Sequence, residues 1–172
     1  MTQRIAFQGN VPVVGERCFI APTATLIGDV SIGEESSVWF GCVVRGDVGW
    51  IRIGKRTNIQ DLTTIHVTGG LANTTVGDEV TIGHRAVIHG CTVEDGCLIG
   101  MGAVVLDGAV IGAGSVVGAG AVVTPGTRIP PHSMVLGTPG RVVRPLHPHE
   151  LDMGRLGAAA YLELSRLYLG PV

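Results

Sequence analysis

The sequence predicts a parallel β-helix built from hexapeptide repeats, on two observations. The first is a period of six, with an aliphatic residue at position one, often Gly at two and a small residue at five. Val14, Ile20, Leu26, Ile32, Val38 and Val44 keep this phase; Ile53, Ile59 and Ile65 resume it. Val76, Ile82 and Ile88 follow, and the run from Val93 to Val135 carries it onward. The small positions include Cys18, Ala24, Ser36, Cys42, Thr57, Thr63, Ala86, Thr92, Cys97 and Ala103. Such a repeat is the signature of a solenoid whose coils share one core. Three hexads make one triangular coil, with aliphatic residues filling the interior. The second observation is composition: 27 Gly, 4% aromatic and 45% hydrophobic residues. Tight corners need Gly, and a thin core excludes large rings.

Taken in order, residues 1–13 are out of phase and are expected to cap the first coil against further strand pairing. Residues 14–49 form two regular coils. Trp39 and Phe40 flank an aliphatic corner there and should point outward, onto a covered surface such as a subunit interface. The phase then breaks three times. Val44 to Ile53 carries an insertion around Val48-Gly49-Trp50, and Ile65 to Val76 a longer one within His66 to Thr75. Ile88 to Val93 is one residue short, at Gly90-Cys91. Irregularities in solenoids tend to mark the functional face. Coils run cleanly from Val93 to about Val135, and prolines then end the repeat. Residues 147–169 read as one amphipathic helix with Met153, Leu156, Ala160, Leu164 and Leu167 on a stripe; Gly154 and Gly157 weaken its first turns. The expected division is a solenoid over 1–145 and a helix, packed outside it, over 146–172.

A chain of 172 residues suits one domain. Net charge is −2 with a single Lys, so no basic stripe favours nucleic acid. No apolar run reaches membrane-spanning length, and the first residues lack an apolar leader, so the default expectation is cytoplasmic. Cys18, Cys42 and Cys97 occupy small repeat positions, and no CxxC spacing occurs.

Three of the six histidines fall between residues 66 and 89. Imidazole is the commonest zinc ligand, and three protein ligands with an open fourth position mark a catalytic zinc site. Assigning hexads to faces in turn places Arg45, His66 and His89 in one outward column, one residue per coil, with coils ~4.8 Å apart. Two stacked imidazoles at that spacing can share one ion. His84 lies round a corner, one coil from Asp61, with Gln60 adjacent. It would therefore complete a site only on a neighbouring chain, and three such contacts close a cyclic homotrimer. Gln60 and Asp61 are candidates for orienting a bound water or a ligating imidazole.

The segments Val44-Arg45-Gly46-Asp47, Asn58-Ile59-Gln60-Asp61, Ile65-His66, Ile82 to Cys91 and Leu98 to Ala103 resemble the gamma-class carbonic anhydrases and their bacterial relatives, over about residues 10–145. The resemblance implies a left-handed β-helix trimer with a metal at each subunit interface. It implies that His66, His84 and His89 bind zinc, with iron or cobalt also accepted by three imidazoles. It implies that Arg45 and Asp47 form a salt bridge across the interface, that Gln60 and Asp61 contact the metal-bound water or the substrate, and that Tyr161 lines the site. The implied reaction is reversible hydration of carbon dioxide to bicarbonate by a metal-bound hydroxide. Well-characterised members carry glutamates that help move protons. The matching stretches here, 48–50 and 67–75, contain no acid, which predicts slow turnover. The alternatives are an acyl-CoA thioesterase or acyltransferase of the hexapeptide class, and a non-catalytic metal-binding assembly subunit.

Overall fold

A computed structural model describes residues 3–170. The repeat folds as predicted, into a left-handed parallel β-helix, because each hexad extends only about two residues before turning a corner. On one face Phe19–Ile20, Ser37–Val38, Asn58–Ile59, Thr81–Ile82, Leu98–Ile99 and Val116–Val117 stack in parallel register. On a second face Thr64–His66 pairs with Val87–His89, which pairs with Val104–Val105. The third stacks Arg52, Thr75, Thr92, Val110 and Arg128. The inward aliphatics Leu26, Val44, Ile65, Ile88, Val105 and Val123 form one fully buried column. Buried hydroxyls at the small position reach the next coil: Ser36 Oγ donates to Gly54 O (2.8 Å), and Thr57 Oγ1 donates to Gly77 O (2.8 Å). That spares the core the cost of an unpaired polar group.

The breaks in phase take specific forms. The Val48-Gly49-Trp50 insertion is no separate loop; Val43–Ile53 is one strand running across a corner, and Arg52 lies over the Trp50 ring. The longer insertion closes as a small turn, with Thr68 and Ala72 bridged. At the deletion, Cys91 rather than Thr92 takes the buried small position, because losing one residue advances the phase by one. The segment before the first regular coil covers an edge as expected: Gln3–Ile5 pairs with Thr25, Leu26 and Ile27. Met1 and Thr2 lie outside the described residues.

One expectation about the C-terminal segment is corrected. The helix spans Met153–Leu169 and does not begin at 147. Arg144 grips Glu150 through both guanidinium nitrogens, and His147 N–H donates to the same carboxylate (2.7 Å), so Pro148–Glu150 closes as a separate 3-10 turn. The leucine stripe also faces away from the chain's own solenoid, with Leu156 65% and Leu167 79% exposed. The buried face is instead the small one: Gly154, Ala158 and Ser165. The helix lies on the first face, and its close approach requires the glycines. A Cβ at Gly157 would sit 2.5 Å from Thr81 Oγ1, and one at Gly154 2.5 Å from Cys97 O. At one corner Arg17 pairs with Glu35 and Arg56 with Glu79; helix residues Arg166 and Arg155 reach the same two glutamates.

Trp39 leaves the solenoid interior, but the chain's own helix already covers it. Trp39 is only 3% exposed. It packs edge-on to Tyr161 and Tyr168 of the helix, beside Phe19 and Phe40. Among the described residues no helix is long and apolar enough to cross a membrane.

Candidate metal centre

The register that stacks Ile65 on Ile88 puts His66 directly beside His89. His66 Nδ1 faces His89 Nε2 at 3.0 Å. Each ring's other nitrogen meets a carboxylate: His66 Nε2 lies 3.0 Å from Asp47 Oδ1, and His89 Nδ1 2.7 Å from Asp107 Oδ1. An ionised carboxylate only accepts, so it claims the ring N–H. What remains is two nitrogen lone pairs pointed at each other. That arrangement repels unless a proton or a metal cation lies between them. Two ligands of a tetrahedral zinc, at ~2.0–2.1 Å each, stand a little over 3 Å apart. The donor chemistry therefore fits a cation, and the carboxylate-histidine pairs are the support such ligands characteristically have.

His84 repeats the pattern elsewhere. Its Nδ1 lies 2.8 Å from Asp61 Oδ2, and Tyr161 Oη lies 3.5 Å from its Nε2. Leu62 and Arg85, which follow Asp61 and His84, both hold left-handed backbone (φ 62° and 59°), so the two side chains leave the same sharp corner in adjacent coils. Beside them is an open cleft of about 460 Å³ lined by His84, Arg85, Met101 and Gly102. His84 does not join His66 and His89: among the described residues no three His, Cys, Asp or Glu of the single chain converge on a metal position.

Arg45 and Asp47 pair with each other within the chain. Burial raises the Asp47 carboxyl, but the His66 hydrogen bond and the Arg45 guanidinium prevail and leave it below the ordinary carboxylate range. At Asp107 burial is likewise overcome by hydrogen bonds from His89 and Thr68, and its pKa is lowered. Tyr161 is pushed up, by burial first and then by the negative Asp61. Gln60 is 7% exposed. Its Nε2 donates to Asn58 Oδ1 (3.1 Å), Asn58 Nδ2 to Thr81 Oγ1 (2.9 Å), and Thr81 Oγ1 to Gly154 O of the helix (2.8 Å). The helix therefore fixes the Gln60 amide and leaves its carbonyl oxygen available.

Sequence reasoning missed Asp107, Thr68 and the Asn58–Thr81 chain. The period held a usable signal for Asp107: it lies in the coil after His89, offset by the deletion at Gly90.

A family described as "Bacterial transferase hexapeptide (six repeats)" matches residues 12–46 and 90–125. The chain is 48% identical over 153 residues to a Methanocaldococcus jannaschii protein named "Probable carbonic anhydrase", covering 89% of this chain and 96% of that one. The chain belongs to the gamma-class carbonic anhydrase family. Gamma carbonic anhydrase 1, mitochondrial, of Arabidopsis thaliana is 47% identical over 78 residues, but this match covers 42% of the present chain and only 28% of that family member. A solved structure titled as a hexapeptide transferase family protein, from Anaplasma phagocytophilum, superimposes with a TM-score of 0.93 at 38% identity, over 96% of this chain and 98% of the other. The names of these similar proteins thus point to two chemistries, hydration and group transfer.

Proposed function

We propose that the protein is a metal-dependent carbonic anhydrase whose sites form between the subunits of a homotrimer. The observation that carries this reading is the pair of facing ring nitrogens, His66 Nδ1 and His89 Nε2, 3.0 Å apart, each imidazole backed by a carboxylate. His84, backed by Asp61, is the third ligand, supplied by the adjacent subunit because it cannot reach the pair within its own chain. A divalent cation held by three neutral imidazoles supplies Lewis acidity, lowering the pKa of water at the open position to about 7. Zinc, iron and cobalt all accept this donor set.

The chain's own groups do the rest. Asp47, Asp61 and Asp107 keep the three imidazoles in the ligating tautomer. Arg45 holds Asp47. Gln60, its Nε2 already donated to Asn58, accepts a hydrogen bond from the attacking water through its carbonyl oxygen. The Tyr161 hydroxyl lies 3.5 Å from His84 Nε2. The oxygen of water adds to the carbon of carbon dioxide and one proton leaves, giving bicarbonate.

A second reading, acyl transfer or hydrolysis of an acyl-CoA, is favoured by the transferase names on the repeat family and on the Anaplasma structure. One metal-loaded preparation tests both. Anhydrase function predicts about one divalent ion per chain, carbon dioxide hydration, and loss of both in His66→Ala, His84→Ala and His89→Ala variants that still assemble. Acyl-CoA hydrolysis without hydration would overturn it in favour of the second reading.

A further inference from the structure

Asp107 takes no place in the solenoid core, which Val105 and Ile88 fill on this face. It does require a gap. A Cβ at Gly90 would fall against the Asp107 carboxylate and 2.8 Å from Ala72 Cβ. The residue after His89 is therefore a glycine, at φ 56°, at the site of the one-residue deletion, with the next coil's Asp107 beside it. One carboxylate oxygen takes His89 Nδ1 at 2.7 Å; the other accepts from Thr68 Oγ1, also at 2.7 Å. Thr68 belongs to the five-residue insertion, whose turn is closed by the Thr68–Ala72 bridge. Two of the three irregularities in the repeat thus converge on one carboxylate.

We propose that Asp107, oriented by Thr68, is the positioning residue for His89: it holds the Nδ1 proton and so presents the Nε2 lone pair to the cation. This rests on the metal-centre reading above. The Thr68 bond gives the inserted turn a purpose. It fixes the carboxylate from the side opposite the imidazole, so that neither oxygen is free to rotate away.

The test is zinc binding by the intact protein, by competition with a chromophoric chelator, together with long-range proton–nitrogen NMR of the imidazoles in the metal-free state. Asp107→Ala is expected to weaken zinc by about 10–100-fold. Asp107→Asn, whose amide oxygen still accepts, should retain most of the affinity. Thr68→Val, on an exposed turn, should weaken zinc by a smaller factor. In the wild type the proton should be on His89 Nδ1, and Asp107→Ala should lose that single tautomer. A purely structural Asp107 would lower the melting temperature yet leave zinc affinity and the His89 nitrogen pattern unchanged, which would overturn the proposal. His66→Ala and His89→Ala serve as the reference. If both lose zinc while Asp107→Ala does not, only this inference fails; if both bind zinc as tightly as the wild type, the metal reading fails and this inference with it.

Discussion

Gly90 meets two demands that no other residue satisfies together: left-handed backbone and an empty place beside Asp107. Gly90→Ala should therefore cost stability, by about 1–3 kcal/mol from overpacking, and should weaken metal binding. Denaturant unfolding and a zinc titration read the two effects. A variant as stable as the wild type would show that the Asp107 loop yields freely. The buried thiols give a separate expectation. Burial pushes Cys42 up to about 11, and Cys91 and Cys97 up to about 12. Unfolded thiols titrate near about 8.5. Their contribution to stability is then fully present below that value, and it is lost as pH rises towards the folded values, because the unfolded state releases protons first. The urea midpoint should fall steadily through this window, and less steeply in a Cys91→Ala/Cys97→Ala variant. An identical slope in both proteins would place the alkaline loss elsewhere. At this scale the three histidines stand out in the sequence, because each follows a repeat aliphatic directly or after one Gly. Asp107 does not, since it lies outside both the inserted stretches and the motifs that carry the resemblance.

The C-terminal helix is legible in its apolar period, but that period does not say which face meets the chain's own solenoid. The structure buries Gly154, Ala158 and Ser165, because only small residues let the helix backbone approach the coil edges. Gly157→Ala illustrates the balance. Helix propensity would gain about 1 kcal/mol, but the new Cβ meets Thr81 Oγ1 at 2.5 Å. The clash should win, giving a lower melting temperature and disturbing the Thr81–Asn58–Gln60 hydrogen bonds. Trp39 fluorescence reports the undocking directly, since that ring is buried under Tyr161 and Tyr168. A raised melting temperature with unchanged fluorescence would contradict this view of the helix seat. The aromatics at 39 and 40 were likewise read correctly as lying under a cover; sequence periodicity cannot say that the cover comes from the chain's own helix.

For the whole molecule, the six-residue period made the solenoid readable almost from end to end, since each coil repeats the same inward aliphatic and small residue. The division of the histidines between two faces was readable too, because phase fixes which face each residue leaves. Proton handling follows from the same geometry. Asp47, Asp61 and Asp107 are each already engaged by an imidazole, and the stretches 48–50 and 67–75 hold no acid. Carbon dioxide hydration should therefore depend strongly on buffer concentration, since buffer must carry the proton. Fast turnover in very dilute buffer would reveal an internal route.

The central claim is that no single subunit holds a complete metal centre, and mixing two defective proteins tests it most directly. One carries His84→Ala; the other carries His66→Ala and His89→Ala. Each alone should fail to bind metal. Unfolded together in equal amounts and refolded, they assemble with each variant on either side of an interface about half the time. About a quarter of the sites should then join an intact His66–His89 pair to an intact His84. Metal content of the mixture near that fraction, against none in either homotrimer, is the predicted result. Verified mixed trimers that bind no metal would contradict it.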